Sequence, residues 1–393
     1  MKVIIIRQSA VIPSDFNKPK DWREIYFFKW SRKIYRDTEL WISDFDHYAL
    51  KKRREIDLPY ANQITQIKTI GYKKTVSIWR VVDAWIFGIK IFFRAMKKIG
   101  NKDVVVVSLP TPESVFFISM AKILKGFRLI VDVRDNWPDN FTGKGYLQSF
   151  FKIYVLLLNK ISFKVIDKVI WMSEGLYSNH KRKKLLNKKT LEHVTIPVTF
   201  YKGNLSIDEQ DLNNNLFSKP VLSFFGTLNK QFDLTILKNH IQSTSVSDSF
   251  NFLIIGDGNQ LDFLRDVFKK NKNVHFLGQK PYSLTQIIAR KSAGFFLFYR
   301  EPRTYSNHIT NKLREYSELR KPIFHNLDSN IFTIMKKEYH IGNNLAEISF
   351  ETALKEIKDQ NNAEIFNIKD LEALCNDLSI ESLERNFIKA IKI

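Results

Sequence analysis

Residues 308–324 read H-I-T-N-K-L-R-E-Y-S-E-L-R-K-P-I-F, which places a helix start, a helix stop and a strand start in one stretch. Asn311 is predicted to cap the helix with its side-chain oxygen, and Pro322 to end it before an apolar run. Lys312 and Glu315 lie three residues apart and so share one face of the first turn. A helix N-terminus with a Lys favours a phosphate, whereas a Glu accepts hydrogen bonds from sugar hydroxyls. Taken alone, the pattern fits an ordinary capped amphipathic helix with a surface ion pair better than a ligand site.

The chain before this stretch contains apolar runs that end at glycine or in a polar loop. They are predicted strands at 221–225 (before Gly226), 252–255 (before Gly256-Asp257-Gly258), 274–277 (before Gly278) and 295–298 (before the loop 299–310). In open α/β sheets, ligands bind at the carboxyl ends of the strands. The Gly-Asp-Gly run is neither a complete dinucleotide fingerprint nor a Walker A loop. The series therefore predicts a ligand-binding sheet edge without naming the ligand.

The first half has the same alternation of strands and helices, which predicts a doubly wound parallel α/β sheet. Strands are predicted at 3–6, 39–43, 103–110, 129–135 and 168–173, and helices at 21–36, 78–98, 112–125 and 149–165. A chain of 393 residues is too long for one core, so two domains are expected. The predicted division is a first domain at 1–200, a polar linker at 201–219, a second domain at 220–379, and a helix at 380–393 that can pack back on the first domain.

The charge is unevenly distributed along the chain. Residues 1–200 carry 37 Lys and Arg against 18 Asp and Glu, whereas residues 201–393 carry 25 against 23. This asymmetry predicts that the first half faces an anionic partner: a nucleic acid, an acidic membrane surface or a phosphorylated substrate. The single cysteine, Cys375, excludes a disulfide framework and favours a reducing compartment. The apolar run at 3–6 is too short for a signal peptide, and no apolar stretch reaches the length of about 18 residues that a spanning helix needs.

Several motifs, taken as a set, resemble the GT-B-fold retaining glycosyltransferases of the family-4 type. F-L-I-I-G-D-G (252–258), N-V-H-F-L-G-Q-K-P-Y (273–282) and the stretch 310–324 resemble the donor domain of that family, and F-F-G-T-L (224–228) resembles its opening strand. L-I-V-D-V-R-D-N-W-P-D (129–139) resembles a stretch of bacterial O-antigen and capsule transferases, and V-I-W-M-S-E-G-L (169–176) resembles the last strand-to-helix element of their first domain. The resemblance implies two Rossmann-like domains that face a cleft.

The resemblance also implies roles for individual residues. Glu315 would hold the donor ribose, while Lys312 and Asn311 would lie at the helix start beside the diphosphate. The other implied donor-binding residues are Gly226, Thr227, Lys230, Gly256, Gly258, Leu277, Gly278, Arg300 and Asn307. The implied catalytic residues are Asp135 and Arg134, on the acceptor side, and Lys230. Asn307 stands near the position where the family often has a second Glu, and Thr227 where it often has an Arg; Arg300 or Arg303 would supply the missing charge.

The expected partners follow from the resemblance and the charge together. They are a nucleotide-sugar donor, an undecaprenyl-diphosphate-linked saccharide or another glycan as acceptor, and an anionic membrane surface. We expect no cofactor, no metal and no nucleic acid, and a peripheral enzyme at the inner face of the bacterial cytoplasmic membrane that builds a surface polysaccharide. Two alternatives stay open at this point. A GT-B nucleotide-sugar epimerase would process the donor without an acceptor, and a basic nucleic-acid-binding protein would bind with a steep salt dependence.

Overall fold

The structure is a computed structural model that divides into two compact units. The first comprises Met1–Gly203 and Ile380–Ile393, and the second comprises Asn204–Ser379. The residues that the structure describes are 1–12, 21–53, 56, 58–75, 77–135, 146–182, 192–197, 214–305, 309–359 and 368–392.

The first unit is built around a seven-stranded parallel sheet. The strands of this unit are β1 (Val3–Arg7), β2 (Thr38–Ser43), β3 (Phe45–Asp46), β4 (Lys51–Lys52), β5 (Ile64–Ile67), β6 (Val104–Ser108), β7 (Arg128–Val133), β8 (Lys168–Trp171) and β9 (Glu192–Thr195). Its helices are α1 (Arg23–Ile34), α2 (Ile78–Lys98), α3 (Pro112–Lys125), α4 (Tyr146–Ser162) and α5 (Glu174–Arg182). A short 3-10 helix lies at Ala61–Gln63.

The order of the large sheet is β5-β2-β1-β6-β7-β8-β9, and β3 and β4 form a separate antiparallel pair. The central strands are buried on both faces, which explains continuous apolar runs such as Val104–Ser108. Phe87 and Ile91 of α2 and Val115 and Ile118 of α3 belong to one fully buried cluster with alternate residues of the sheet. The helix α3 packs against both α2 and α4, so these three helices form one layer.

The second unit contains a six-stranded parallel sheet. Its strands are β10 (Val221–Phe225), β11 (Asn251–Ile255), β12 (Val274–Gly278), β13 (Gly294–Leu297), β14 (Ile323–His325), β15 (Ile331–Ile334), β16 (Lys337–His340) and β17 (Asn343–Asn344). Its helices are α6 (Thr235–Gln242), α7 (Leu261–Val267), α8 (Tyr282–Lys291), α9 (Pro302–Tyr305), α10 (Asn311–Glu318), α11 (Phe350–Asp359) and α12 (Ile368–Asp377). Short 3-10 helices lie at Asn214–Phe217 and Ser245–Ser249.

The order of this sheet is β12-β11-β10-β13-β14-β17, while β15 and β16 form an antiparallel hairpin beside it. Two Rossmann-like parallel sheets with helical crossovers confirm the predicted α/β fold class. The last helix, α13 (Ile380–Ile391), belongs to the first unit and packs against α1, where the rings of Phe387 and Phe27 stack with centroids 4.1 Å apart.

Candidate functional site

Three neighbouring strands of the second unit end in glycines whose backbones touch. Gly226 follows β10 with φ +151°, and Gly256 follows β11 with φ +143°. The Gly226 N–H donates to the Ile255 carbonyl at 2.9 Å, and the Gly256 N–H donates to the Gly278 carbonyl at 2.9 Å. A Cβ atom on Gly256 would lie 1.8 Å from the Gly226 carbonyl oxygen. Glycine is therefore required here by space as well as by φ, and the three strand ends form one bare backbone surface.

The helix α10 begins beside this surface, and its cap differs from the predicted one. The N-cap is Thr310, whose Oγ1 accepts from the Leu313 N–H at 3.2 Å, whereas Asn311 is the first helical residue. The prediction that Asn311 caps the helix is wrong. The Thr310 hydroxyl also lies 2.6 Å from the Tyr299 hydroxyl, and this second bond favours Thr310 as the cap. The exposed Asn311 side chain is left at the helix start.

Lys312 and Glu315 form the charged part of the site. Lys312 Nζ donates to Glu315 Oε2 at 3.0 Å, and the two side chains are 21% and 17% exposed. A Cβ atom on Gly226 would lie 2.3 Å from Lys312 Cε, so the lysine side chain lies across the glycine. Its ammonium group also lies 5.1 Å from the centre of the Phe225 ring. The spacing prediction is thus realised as an ion pair that covers the glycine at the end of β10.

Tyr316 fixes α10 to the strand beneath it, and sequence reasoning missed this residue. The Phe225 N–H donates to the Tyr316 hydroxyl at 3.1 Å, and the tyrosine is fully buried. Burial raises the pKa of Tyr316 well above its usual range, which keeps the hydroxyl protonated. Its ring stacks on Phe295 of β13 at 4.6 Å. Because one side chain joins α10 to two strands, the position of Lys312 over Gly226 is well determined.

The loops after β10 and β13 carry the remaining predicted cations. The Arg300 N–H donates to the Gln231 carbonyl at 3.0 Å, so Arg300 lies next to the segment that contains Lys230. The side chains of Lys230, Arg300, Arg303 and Thr227 are all exposed. The two loops thus bring Lys230 and Arg300 to the same sheet edge.

The other predicted donor-site residues border the same edge or fall outside the described residues. A Cβ atom on Gly258 would lie 2.3 Å from the Leu228 carbonyl oxygen, so this glycine closes the turn after β11. Leu277 and Gly278 end β12 and are partly exposed. Asn307 lies outside the residues that the structure describes, and its role stays a prediction.

In the first unit, Arg134 is held in a buried ion-pair network. Arg134 Nε donates to Asp132 Oδ2 at 2.9 Å, and Arg134 Nη1 lies 2.9 Å from Glu24 Oε2. Asp132 also accepts from Arg23 Nη2 at 2.8 Å. Burial opposes ionisation of Asp132, but the charges of Arg23 and Arg134 outweigh it and lower the pKa to about 2. The Arg134 charge is thus already neutralised inside the unit, whereas the predicted neighbour Asp135 is exposed.

The first unit also contains a cavity of about 610 Å³ that no sequence motif indicated. Its walls are mostly apolar and include Phe150 of α4. At its polar side, Gln8 Nε2 donates to Asp83 Oδ2 at 3.0 Å, and the Tyr154 hydroxyl donates to Glu113 Oε1 at 2.6 Å. The Gln8 Oε1 atom is buried and has no hydrogen-bond partner among the described residues. Burial raises the pKa of Glu113. The cavity thus offers oxygen acceptors beneath aromatic walls.

His47 and Tyr72 form a hydrogen-bonded pair at the same cavity. Burial, followed by the charges of Arg80 and Arg7, lowers the pKa of His47 to about 4, so its ring is neutral at pH 7. Among the described residues, no group of three or more His, Cys, Asp or Glu side chains is placed to hold a metal ion. Within the same part of the chain, no helix is both long and apolar enough to cross a bilayer.

Comparisons with known proteins give similarity in structure only. No protein-family model matches the chain, and no curated protein matches it in sequence. Anabaena Alr3699/HepE in complex with UDP is similar with a TM-score of 0.64 and 10% identity, over 99% of both chains. The apo form of the lipopolysaccharide outer core galactosyltransferase WaaB is similar with a TM-score of 0.60 and 12% identity, over 100% of this chain and 99% of that chain. Sucrose-phosphate synthase from Thermosynechococcus elongatus is similar with a TM-score of 0.62 and 11% identity, over 99% of this chain and 97% of that chain.

At 10–12% identity, these similarities concern the fold. They cover at least 97% of each chain, and both units of this protein contain a parallel sheet. The protein therefore has the GT-B fold.

Proposed function

We propose that the protein is a glycosyltransferase that moves a sugar from a nucleotide-sugar donor to a saccharide acceptor. The observation that carries the proposal is the arrangement of Lys312 across Gly226, in an ion pair with Glu315 at 3.0 Å, at the start of a helix. A cation beside a bare backbone and helix N–H groups suits a diphosphate, and a partly exposed carboxylate suits the hydroxyls of a ribose. The structural neighbours support the same class, since the HepE structures were obtained with UDP and with UDP-glucose.

In the proposed reaction, an acceptor hydroxyl oxygen bonds to the anomeric carbon of the sugar while the bond between the sugar and the nucleoside diphosphate breaks. Negative charge develops on the departing diphosphate, which takes up the hydroxyl proton. Lys312 and the N–H groups at the start of α10 would stabilise that charge, together with Lys230 and Arg300 from the adjoining loops. No metal is required in this scheme because side-chain cations supply the charge. We also propose that the sugar keeps its anomeric configuration, because the family that the sequence resembles consists of retaining enzymes.

The acceptor is proposed to be a lipid-diphosphate-linked saccharide at the cytoplasmic face of a bacterial membrane, in the synthesis of a surface polysaccharide. The excess of 19 positive charges in residues 1–200 supports an anionic acceptor or surface. The cavity of the first unit supports a ligand with hydroxyl groups and apolar parts, because Gln8, Asp83 and Glu113 offer acceptor oxygens beneath apolar walls. One structural neighbour, WaaB, is a lipopolysaccharide outer core galactosyltransferase, which supports a role in making a surface saccharide.

The first test measures donor binding. Ligands that bind only the native state raise its melting temperature, so a panel of UDP-, GDP- and ADP-sugars is expected to single out one base. Glu315→Gln should weaken that nucleotide about 10- to 100-fold, because a hydrogen bond to a charged group contributes about 1.5–3 kcal/mol. Glu338→Gln is the matched control, since Glu338 is exposed on the hairpin strand β16. Equal affinities for the wild type and Glu315→Gln would contradict the site.

The second test measures chemistry. The selected nucleotide sugar is incubated alone and with lipid-linked or free saccharide acceptors, with and without EDTA. Release of nucleoside diphosphate that depends on the acceptor and persists in EDTA is expected. Conversion of the sugar nucleotide to an epimer without any acceptor would overturn the transferase proposal, and loss of turnover in EDTA would overturn its metal independence.

A further inference from the structure

We infer that the outer face of α2, α3 and α4 binds the surface of an anionic lipid bilayer. The inference rests on the proposed function for its biological role, and it deepens that proposal by naming the surface that meets the membrane. We call this surface the α2–α4 face and define it by the exposed apolar side chains of the three helices.

The helix α4 carries an apolar stripe on its exposed side. Phe150, Ile153, Leu157 and Ile161 recur at helical spacing and are 72%, 66%, 56% and 44% exposed. The opposite side of the helix is buried through residues such as Val155. A helix on the surface of a globular protein normally presents polar residues to water, so this second apolar side needs a partner.

The stripe continues onto the two neighbouring helices. Ile123 and Leu124 of α3 are 67% and 63% exposed, and Trp79 and Phe93 of α2 are 61% and 60% exposed. Because α3 packs against both α2 and α4, these side chains belong to one continuous layer. Of the 18 large hydrophobic residues that are exposed in the described part of the chain, 11 lie on these three helices. The exposure is therefore concentrated on one face.

The charge of the same helices indicates what covers the face. Together they contain nine Lys and Arg residues and only two acidic residues, Asp83 and Glu113. Both acids are buried, at 1% and 4% exposure, so the three helices contribute no exposed carboxylate. Arg94 and Lys122 form ion pairs with Glu39 and Asp167, which lie outside these helices. Lys90, Lys97 and Lys160 are among the exposed cations. Apolar side chains interspersed with lysines match the acyl boundary and the anionic headgroups of a bilayer.

The charge also argues against the other occupants. A second copy of the chain would bring two cationic faces together without carboxylates to pair them. A nucleic acid would cover the lysines but leave the apolar side chains with no matching surface. A lipid surface is the occupant that satisfies both components, and an amphipathic face binds there without any helix that spans the bilayer.

The cavity of the first unit opens at the edge of this face. Ile78 and Phe150 line the cavity and are 69% and 72% exposed, so the same side chains form its rim and part of the α2–α4 face. A molecule anchored in the bilayer would therefore meet the cavity without leaving the lipid surface.

The test is sedimentation of the full chain with vesicles of phosphatidylcholine alone or with about one third phosphatidylglycerol. We expect binding to the anionic vesicles, weakened by 0.5 M salt, and a loss of about a hundredfold in the triple variant Phe93→Ser/Ile123→Ser/Leu157→Ser. The control is Phe263→Ser/Ile331→Ser, which removes two side chains of the second unit that are 54% and 55% exposed. This control is expected to bind vesicles like the wild type.

Several results would overturn the inference. One is vesicle binding that the triple variant retains, and another is a wild-type dimer that the triple variant dissociates in light scattering, which would assign the face to a second copy. Nucleotide-sugar binding is measured on the same samples. If the wild-type protein binds the nucleotide sugar but not the vesicles, only this inference is overturned. If the wild-type protein does not bind any nucleotide sugar, the proposed function is overturned.

Discussion

Gly256→Ala should destabilise the second unit by far more than a glycine-to-alanine change normally does. A Cβ atom at this position would lie 1.8 Å from the Gly226 carbonyl oxygen, whereas real Cβ atoms essentially never approach within 3.0 Å of such an atom. The ends of β10 and β11 would have to separate by more than about 1 Å. Overpacking of this kind lowers the free energy of unfolding by roughly 1–3 kcal/mol. The φ of +143° adds backbone strain of roughly 1–3 kcal/mol. Together they predict a loss of about 2–6 kcal/mol.

Gly278→Ala provides the matched control on the neighbouring strand. Its φ is +67°, and a Cβ atom there meets nothing within 4 Å, so only the backbone strain of about 1 kcal/mol remains. Urea unfolding followed by far-UV circular dichroism gives the two stabilities, and calorimetric titration gives the affinity for the selected nucleotide. Gly256→Ala should also lose nucleotide binding, since Lys312 lies across the Gly226 backbone that must move. Equal stabilities for the two alanine variants would refute the reasoning.

Three further predictions concern caps and buried charges. Thr310→Ala should cost about 1 kcal/mol of unfolding free energy because the cap to Leu313 is lost, and an unchanged urea midpoint would contradict it. Glu113→Gln should raise the free energy of unfolding more at pH 8 than at pH 4. Burial raises the pKa of the carboxyl group from 4.5, so the cost of ionising it in the folded protein grows as the pH rises. Urea midpoints of the two proteins that differ equally at both pH values would contradict this. Asp132→Asn should cost about 3–5 kcal/mol at pH 7, because it removes the carboxylate partner of the buried Arg23 and leaves the buried Arg134 with Glu24 alone. The difference in unfolding free energy between the wild type and this variant should shrink as the pH falls from 3.8 through about 2, because the wild-type carboxylate loses its charge in that range. A difference that stays constant with pH in urea unfolding would contradict this.

The central strands were predictable because they are buried on both faces and so read as unbroken apolar runs. Val104–Ser108 is an example. The edge strand Ile64–Ile67 has partly exposed Thr65 and Gln66 at its centre and carries no such signal. The hairpin of β15 and β16 turns at Met335 and Lys336, both with positive φ, where a sequence reader looks for Gly or Asn. Tertiary packing, rather than local preference, determines these elements.

The charged pair of the candidate site was predictable for a different reason. Lys312 and Glu315 are close in sequence, so helical periodicity alone brings them together. The N-cap residue of α10 was not predictable from the sequence, because Thr310 and Asn311 are both good capping residues. The choice between them depends on Tyr299, which lies outside this helix. The cavity of the first unit was unpredictable for the same reason on a larger scale, since its polar groups come from Gln8, Asp83 and Glu113.

The excess charge of the first half and its exposed apolar helices are better explained together than apart. An apolar face on three adjacent helices would promote association of the free protein, but a net charge of +21 keeps copies apart. The same lysines that prevent association in solution would attract the face to anionic lipid, where the apolar side chains leave water. Residues 201–393 are nearly neutral, with 25 basic and 23 acidic residues, and the proposed diphosphate would need only a few local cations there. Under the proposed function, the chain would thus concentrate charge where a lipid surface, rather than a small soluble donor, is recognised.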